Sequence, residues 1–284
     1  MAARRRESSE AAAQRSVADR HDEIEAILLS HKEVSVQELV ERFSVSLMTV
    51  HRDLDALEAR GVLRKVRGGA TAQPSTLYES SFAFRVGENR EAKQAIGRAA
   101  ARHVKPGSSI ALDDSTTALE VIRHLRGISP LTVLTNFRPA IDAVREMPEE
   151  TIQTIVVGGA YQSKYDSFGG SLTEKWLNEF RVDQCFLSVS AIDLEHGAFH
   201  QETDQAAVKR ALIGIAAQRI LLADASKFSH RAMHRIVDFA AFDLAIVDSE
   251  TPPEVLASLR SRDLEVEVAP RAGDGDPGQD GAVS

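Results

Sequence analysis

Cysteine is almost missing from the chain: Cys185 is the only one in 284 residues. A single thiol excludes an internal disulfide and every zinc site built from two or more thiolates. Long apolar runs are missing as well. The longest, Ala211 to Ala217, is stopped by Gln218 and Arg219, far short of the roughly 18 residues that span a bilayer. Behind the cationic opening MAARRRESSE there is no apolar stretch of the kind found in a secretory signal. The expectation is a cytoplasmic protein with no membrane partner. G-x-S-x-G, H-E-x-x-H and Walker sequences are all absent, which removes their associated chemistries. No repeat with a period of about 20–50 residues occurs.

What is present fits a two-domain globular chain. At roughly 150 residues per domain the length suggests about two domains, and 43% hydrophobic with 27% charged residues suffices for packed cores. The net charge of −8 speaks against a nucleic-acid binder, but it is unevenly spread. Residues 1–70 hold 12 basic and 12 acidic side chains, so the whole excess falls on the remainder. Within 42–70, Arg42, Arg52, Arg60, Arg64, Lys65 and Arg67 face Asp53, Asp55 and Glu58, a local +3. A neutral-to-basic head on an acidic body is the profile of a polyanion-binding module joined to something else.

Residues 1–20 lack apolar periodicity and are expected to form a disordered arm. A head is expected over 21–74. In it Ile24, Ile27 and Leu28 mark one helical stripe. Ser35-Val36-Gln37-Glu38 has the capping-box spacing ahead of Leu39, Val40 and Phe43. Ser46 caps a third helix whose Leu47, Val50, Leu54 and Leu57 share a face until Gly61 ends it. Val62 to Ala70 suits a short hairpin with outward basic side chains.

Pro74 and Ser75 form a linker, and a body is expected over 75–271. Its strand candidates are Ser109–Leu112, Leu131–Leu134, Thr154–Val157, Cys185–Val189, Arg219–Ala223, Leu244–Val247 and Leu264–Val268. Most are short and continuously apolar, with helical patterns between them. That is the signature of a parallel α/β sheet covered on both faces. The Gly/Asp-rich stretch 272–284 is expected to be a disordered tail.

Two helices joined by the tight Ser44-Val45 turn make a helix-turn-helix by spacing. The second shows Thr49, Arg52, Asp53 and Ala56 on its polar face. A recognition helix needs short hydroxyls and long cations near its N-terminal half, where it meets phosphates and base edges. Ser46, Met48, Thr49, His51 and Arg52 meet that need, with Arg52 the leading candidate for a phosphate or guanine contact. On spacing alone a three-helix interaction domain competes with this reading. The run Val34 to Ala70, VSVQELVERFSVSLMTVHRDLDALEARGVLRKVRGGA, resembles the winged-helix head of DeoR-family bacterial transcription regulators. Its marks are eLxxxFxVSxxTvxRDLxxLexxG and the closing R-x-x-G-G-A. The resemblance implies a double-stranded DNA operator as partner, and the hairpin cations Arg64, Lys65 and Arg67 complete the DNA-facing set. His51 stands where the family usually has Arg, and a histidine is fully charged only below about pH 6.5.

In open α/β sheets ligands bind beyond the carboxyl ends of the strands. The first strand of the body is followed by Asp113-Asp114-Ser115-Thr116-Thr117 and then a helix. Three consecutive hydroxyls at a helix N-terminus suit a phosphate cradle, although an ordinary N-cap reads the same way. Later strands end in Thr135-Asn136, in Gly158-Gly159 with Gly169-Gly170 beyond, and in Asp224-Ala225-Ser226-Lys227-Phe228. Four such loops in one chain favour a shared pocket.

Together these loops resemble the C-terminal effector domain of the same family, whose fold is similar to ribose-phosphate isomerase and CoA-transferase domains. The resemblance runs from about Ser80 through Val247. It implies a phosphorylated sugar or related metabolite held by Asp113, Ser115, Thr116, Thr117, Asn136, Gly158, Gly159, Gly170, Glu202, Lys209, Asp224 and Lys227. Thr116, Thr117 and Lys227 would face the phosphate; Asp113, Asn136 and Asp224 would hold sugar hydroxyls. Ser115 replaces the usual Gly of G-T-T, and Ser190-Ala191-Ile192 stands where a Gly-containing turn is common.

The fold class is thus α/β: a winged helix-turn-helix head and a mainly parallel α/β sensor body. The expected function is DNA-binding transcriptional regulation, as a homodimer or higher homo-oligomer, with no cofactor and no catalytic residue. The alternative is a sugar-phosphate isomerase-like enzyme with a DNA-binding head, casting Asp113, Glu202 and Lys209 as acid–base groups. His196 with His200, and His230 with His234, are read as surface histidines rather than metal ligands. Trp176 is read as a packing residue, and Glu120 with Arg123 as a solvated face.

Overall fold

The computed structural model describes residues 16–76, 78–148 and 152–271. The expectations for 1–15 and for the tail over 272–284 lie outside the described residues. The chain separates into two compact units. One ends at Pro74 and takes back Ser80–Gly87; the other holds Ser75–Glu79 and everything from Glu88 onward. A single cut after residue 74 is therefore too simple.

In the first unit, α1 (Val17–His31) begins inside the expected arm. Ser16 and Asp19 cap it reciprocally, each side chain accepting the other's N–H at 3.0 Å. Residues 17–20 are helical rather than disordered. The apolar residues of that turn, Val17 and Ala18, are exposed, and the side chains buried there are Arg20 and His21, so no apolar stripe announces it. Then come β1 (Glu33–Ser35), α2 (Val36–Phe43), α3 (Leu47–Ala59), β2 (Arg64–Val66), β3 (Gly69–Thr71) and α4 (Phe82–Gly87). The strands form an antiparallel sheet in the order β1-β3-β2. Gly69 is required there, since a Cβ would lie 2.2 Å from the Val34 carbonyl oxygen.

Ile24, Leu39, Leu54, Leu57 and Leu63 are fully buried in this unit's core, joined by Phe84 of α4. Each such side chain contributes about 1.5–3 kcal/mol. Leu47 does not join them and is 58% exposed. It is the first residue of α3, and a helical side chain leans toward the N-terminus, so Leu47 overhangs the helix end.

The second unit comprises α5 (Arg90–Ala101), β4 (Ser109–Leu112), α6 (Thr116–Arg123), β5 (Leu131–Thr135), α7 (Arg138–Arg145), β6 (Ile152–Val156), β7 (Ala160–Gln162), β8 (Ser167–Gly169), α8 (Ser171–Leu177), β9 (Val182–Ser188), β10 (Ala191–Asp193), β11 (Gly197–His200), α9 (Thr203–Ile215), β12 (Ala216–Ala223), β13 (His234–Val237), β14 (Leu244–Asp248), α10 (Pro253–Arg260) and β15 (Glu265–Ala269). Seven strands form one sheet in the order β15-β14-β12-β9-β4-β5-β6, parallel throughout. Each strand candidate read from the sequence overlaps one of these seven, with Val157, Val189 and Leu264 falling just outside. The hairpin β7–β8 and the antiparallel sheet β10-β11-β13 are additions.

Alternate strand residues Cys185 and Leu187, Leu221 and Ala223, Ala245 and Val247 pack with Val208 and Leu212 of α9 in one cluster. Their neighbours Phe186, Ile220, Leu222 and Ile246 point to the other face and are equally buried. Both faces are therefore covered, as the unalternating apolar strands require. α5 and α6 pack so closely that a Cβ on Gly97 would lie 2.6 Å from Glu120 Cβ. Glu120 is consequently buried and ion-paired with Arg123, not part of a solvated face. Strand order runs outward from β4 in both directions, which puts the topological switch point between β4 and β9.

Candidate functional site

In the first unit the turn between α2 and α3 passes through Ser44 in the left-handed region, at φ 52°. Ser46 caps α3, accepting the Thr49 N–H at 3.2 Å, with its hydroxyl 2.9 Å from Thr49 Oγ1. Ser46, Met48 and Arg52 are exposed, and Thr49 and His51 are half-buried. Leu47 and Met48 add apolar surface at the helix start, for which the thymine methyl is the matching feature of a major-groove edge. On the hairpin, Arg67 is exposed beside Gly68, whose φ is +81°. Lys65 instead pairs with Asp55, and its N–H is bound by Glu58 at 2.7 Å. Arg64 is half-buried, with its Nε buried and unpartnered.

Asp53 departs from the sequence expectation. Spacing assigns it to the outward face of α3, but it is buried, held by Arg20 through two hydrogen bonds and approached by His21 at 3.2 Å. Its partners come from α1, so local periodicity carries no sign of them.

In the second unit, the residue after β4 reaches directly across the switch point. Asp113 Oδ1 accepts the Ser115 N–H at 3.1 Å and the Ser115 hydroxyl; Oδ2 accepts the Ser188 N–H at 3.0 Å and the Lys209 ammonium. Lys209 also reaches Asp114 at 3.1 Å, and Asp114 accepts from Ser167 at 3.1 Å. Burial works against the Lys209 ammonium, but the two carboxylates outweigh it and raise its pKa above the ordinary lysine value. Ser115 spends its hydroxyl on Asp113 and on capping α6 through the Ala118 N–H at 3.0 Å. Thr116 and Thr117 occupy the first turn of α6 and are buried.

The remaining predicted residues fall into smaller groups. Asn136 donates to the Phe168 carbonyl at 2.7 Å, leaving its Oδ1 buried without a partner. Gly158 and Gly159 pack against Thr173 of α8, where a Cβ on Gly159 would lie 2.0 Å from the threonine oxygen. Gly170 precedes α8 with φ +89°. Only Gly159 is close-packed; at Gly158 and Gly170 a Cβ would meet nothing within 4 Å. Trp176 of the same helix is 55% exposed, so the expectation that it is a packing residue inside the fold is corrected; Thr173 and Leu177 take the buried side. Glu202 pairs with Lys164 at 2.8 Å, and that ammonium also sits 4.6 Å from the Tyr78 ring centre.

After β12, Asp224 Oδ1 accepts from Asn89 at 2.9 Å and from the Ser226 N–H at 3.1 Å, while Oδ2 is buried and unpartnered. Burial pushes the Asp224 carboxyl up. The charges of Lys227 and Lys93 and the Ser226 hydrogen bonds outweigh it, leaving the carboxyl below its usual range. Asp224 also lines an open cavity of about 700 Å³ between the start of α5 and the ends of β12 and β14.

Sequence reading missed Asp114, Ser188, Lys164 and Lys93. Asp114 stood in the quoted loop without a role, and Lys93 lies on the buried side of α5, where a lysine is unusual enough to be a signal. Among the described residues, no group of three or more His, Cys, Asp or Glu side chains could hold a metal ion.

Known proteins resemble both units. Residues 20–76 match the family described as the DeoR-like helix-turn-helix domain, and residues 88–249 match the DeoR C terminal sensor domain. A putative aga operon transcriptional repressor of Escherichia coli O157:H7 is 31% identical over 87% of this chain and 92% of its own length. The uncharacterized HTH-type transcriptional regulator YulB of Bacillus subtilis (strain 168) is 34% identical over 89% of this chain and 97% of its own. The glycerol-3-phosphate regulon repressor of Escherichia coli (strain K12) is 29% identical over 88% and 98%. A solved ribose 5-phosphate isomerase from Methanocaldococcus jannaschii aligns only distantly. Its TM-score is 0.35 and its identity 17%, over 50% of this chain and 55% of that one.

Proposed function

The chain belongs to the DeoR family of helix-turn-helix transcriptional regulators, and on that premise we propose that it is a cytoplasmic repressor controlled by a phosphorylated sugar or related metabolite. Ser46, Met48, Thr49, His51 and Arg52 meet the major groove of an operator, and Arg67 on the hairpin adds a phosphate contact. One head supplies few contacts, so two copies read successive half-sites.

The observation that carries the sensor reading is a set of unpartnered buried groups at strand ends. Asn136 Oδ1 follows β5, Ser188 Oγ closes β9 and Asp224 Oδ2 follows β12. A native fold seldom leaves such groups unpaired, and the vicinal hydroxyls of a sugar would satisfy them. Thr116 and Thr117 with the first turn of α6 take the phosphate, assisted by Lys227 and Lys93. Asp113, Ser115 and Lys209 hold this frame rather than the ligand, since both Asp113 oxygens already carry two donors. The same saturation disfavours the enzyme alternative, which needs Asp113 or Lys209 available for proton transfer. The reported relatives are regulators or repressors by name, and one governs a glycerol-3-phosphate regulon.

Thermal unfolding with a panel of phosphorylated sugars and polyols tests the proposal. A raised melting temperature without turnover, together with altered operator binding, is the expected result. Turnover of any member would support the enzyme, and no shift with any of them would remove the proposed ligand class.

A further inference from the structure

The amino ends of the strands have a charge character of their own. Between Glu91 and Asp113 the sequence holds no acidic residue, while Lys93, Arg98, Arg102, His103 and Lys105 fall within that stretch. In a chain of net charge −8, whose acidic excess lies wholly beyond residue 70, this is a local reversal of sign. Arg102, His103 and Lys105 follow α5 and stand beside the starts of β9 and β12, where they line a cavity of about 480 Å³. That volume lies within the range of about 300–1,000 Å³ common to small-molecule sites. The cavity is at the end of the parallel sheet away from Thr116, Asn136 and Asp224. Gln184, which lines it, precedes Ser188 on β9 by four residues, roughly 13 Å at strand spacing.

A buried amide with an idle acceptor forms part of this cavity. Gln184 is 8% exposed, and its Nε2 donates to the His103 carbonyl at 3.1 Å and to Gln218 Oε1 at 2.8 Å. His103 and Gln218 line the same cavity, so the amide is held among its walls. Gln184 Oε1 is buried and unpartnered. A native fold seldom leaves such a carbonyl without a donor. Gln218 gives its oxygen to Gln184 and keeps its amide hydrogens for another acceptor.

The cations are unequally committed. Glu267 takes Arg102 and His103, each at 2.6 Å. Lys105 is exposed and has no ion pair among the described residues. The dipole at the C-terminus of α5 accounts for cations there, but not for a buried acceptor left idle beside them. One carboxylate, Asp183, shares the wall. Its Oδ2 accepts the Ser109 N–H and hydroxyl, both at 2.7 Å, and these bonds hold the carboxyl below its usual range. A bare anion beside Lys105 would meet that charge, whereas a ligand hydroxyl offers a donor.

We propose that this cavity binds a small hydroxylated anion. Its charged oxygens lie on the Lys105 ammonium and the Gln218 amide, and its hydroxyl donates to Gln184 Oε1. The charged group is a phosphate or a carboxylate, which share this chemistry. The site differs from that of the phosphorylated metabolite in residues and in position, and its evidence does not draw on that reading.

Two pairs of ions isolate the hydroxyl. Phosphate at neutral pH carries an O–H that sulfate lacks, and glycolate carries one that acetate lacks. Heteronuclear NMR of the full chain reads the Gln184 side-chain amide, assigned from its own backbone. At millimolar concentration and matched ionic strength, phosphate or glycolate is expected to shift that amide saturably, while sulfate and acetate leave it in place. Which of the two acts identifies the charged group. Lys105→Glu is expected to weaken the response by about tenfold or more, the scale of a lost hydrogen bond to a charged group. No saturable shift with either hydroxylated ion, or equal shifts with the ions lacking the hydroxyl, overturns the site. A phosphate-dependent rise in melting temperature that leaves Gln184 unmoved also overturns it, while supporting the anion cradle at the start of α6. The comparison of ions on the unmodified chain decides even if Lys105→Glu fails to fold.

Discussion

Arg20 donates from Nε and Nη2 to the two carboxylate oxygens of Asp53, at 2.8 and 2.9 Å, across 33 residues of sequence. The pair is buried and fastens α3 to α1, the first helix of the head. Breaking a buried ion pair from one side typically costs about 3–5 kcal/mol, because the other charge is stranded. Asp53→Ala is therefore expected to lower the head's stability on that scale, measured by denaturant unfolding. A loss below about 1 kcal/mol would show that the pair is dispensable.

Arg52 is exposed one turn into α3, the helix proposed to meet the operator. Arg52→Ala is expected to weaken operator binding by about 1–3 kcal/mol if it reads a base. If it contacts a phosphate instead, the loss is uniform across sequences and the salt dependence falls by about one unit. An unchanged footprint and affinity would remove Arg52 from the interface.

His51→Arg restores the residue usual in the family. Tighter operator binding with a stronger salt dependence is expected in titrations at fixed pH, because a guanidinium adds a permanent positive charge. Identical affinities and salt dependences for the two proteins would show that residue 51 makes no electrostatic contribution.

Thr116→Ala with Thr117→Ala removes the two hydroxyls proposed to cradle a phosphate at the start of α6. The double variant is expected to lose its metabolite-dependent melting shift while keeping operator affinity. A fully responsive variant would move the phosphate site elsewhere in the unit.

Glu267 is held below its usual value of 4.5, chiefly by the His103 hydrogen bond acting against burial. A depressed carboxyl stabilises the fold fully above pH 4.5, and that share disappears as the pH falls through the folded-state value. The melting temperature of the wild type is expected to fall more steeply with acid than that of Glu267→Gln. Superimposable slopes would mean that the contact contributes nothing to acid sensitivity.

Much of the architecture was legible because it is local. Cap residues such as Ser35 and Ser46, the stripe through Val50, Leu54 and Leu57, and the short apolar strands all signal within a few neighbours. The strand-end loops were legible as candidate segments, since a parallel sheet collects its carboxyl ends on one side, although the cavity beside Asp224 takes in only the last of them. The internal allocation of that set was not. Asp113 and Lys209 stand 96 residues apart, and only their meeting shows that they neutralise each other; the unpartnered atoms of Asn136, Ser188 and Asp224 are likewise fixed by what distant elements fail to bring to them.

The sequence by itself determined a helix-turn-helix head, a parallel α/β body and the family to which both belong, because periodicity, caps and contiguous motifs are properties of short segments. Tertiary structure alone decided that Asp53 turns inward, that Glu120 is buried beneath α5 and that Trp176 faces out. Each outcome depends on what a distant element brings to the same place: a guanidinium, a glycine that permits close approach, or a helix side already filled. Those encounters are fixed by strand order and packing, which no local window of residues contains.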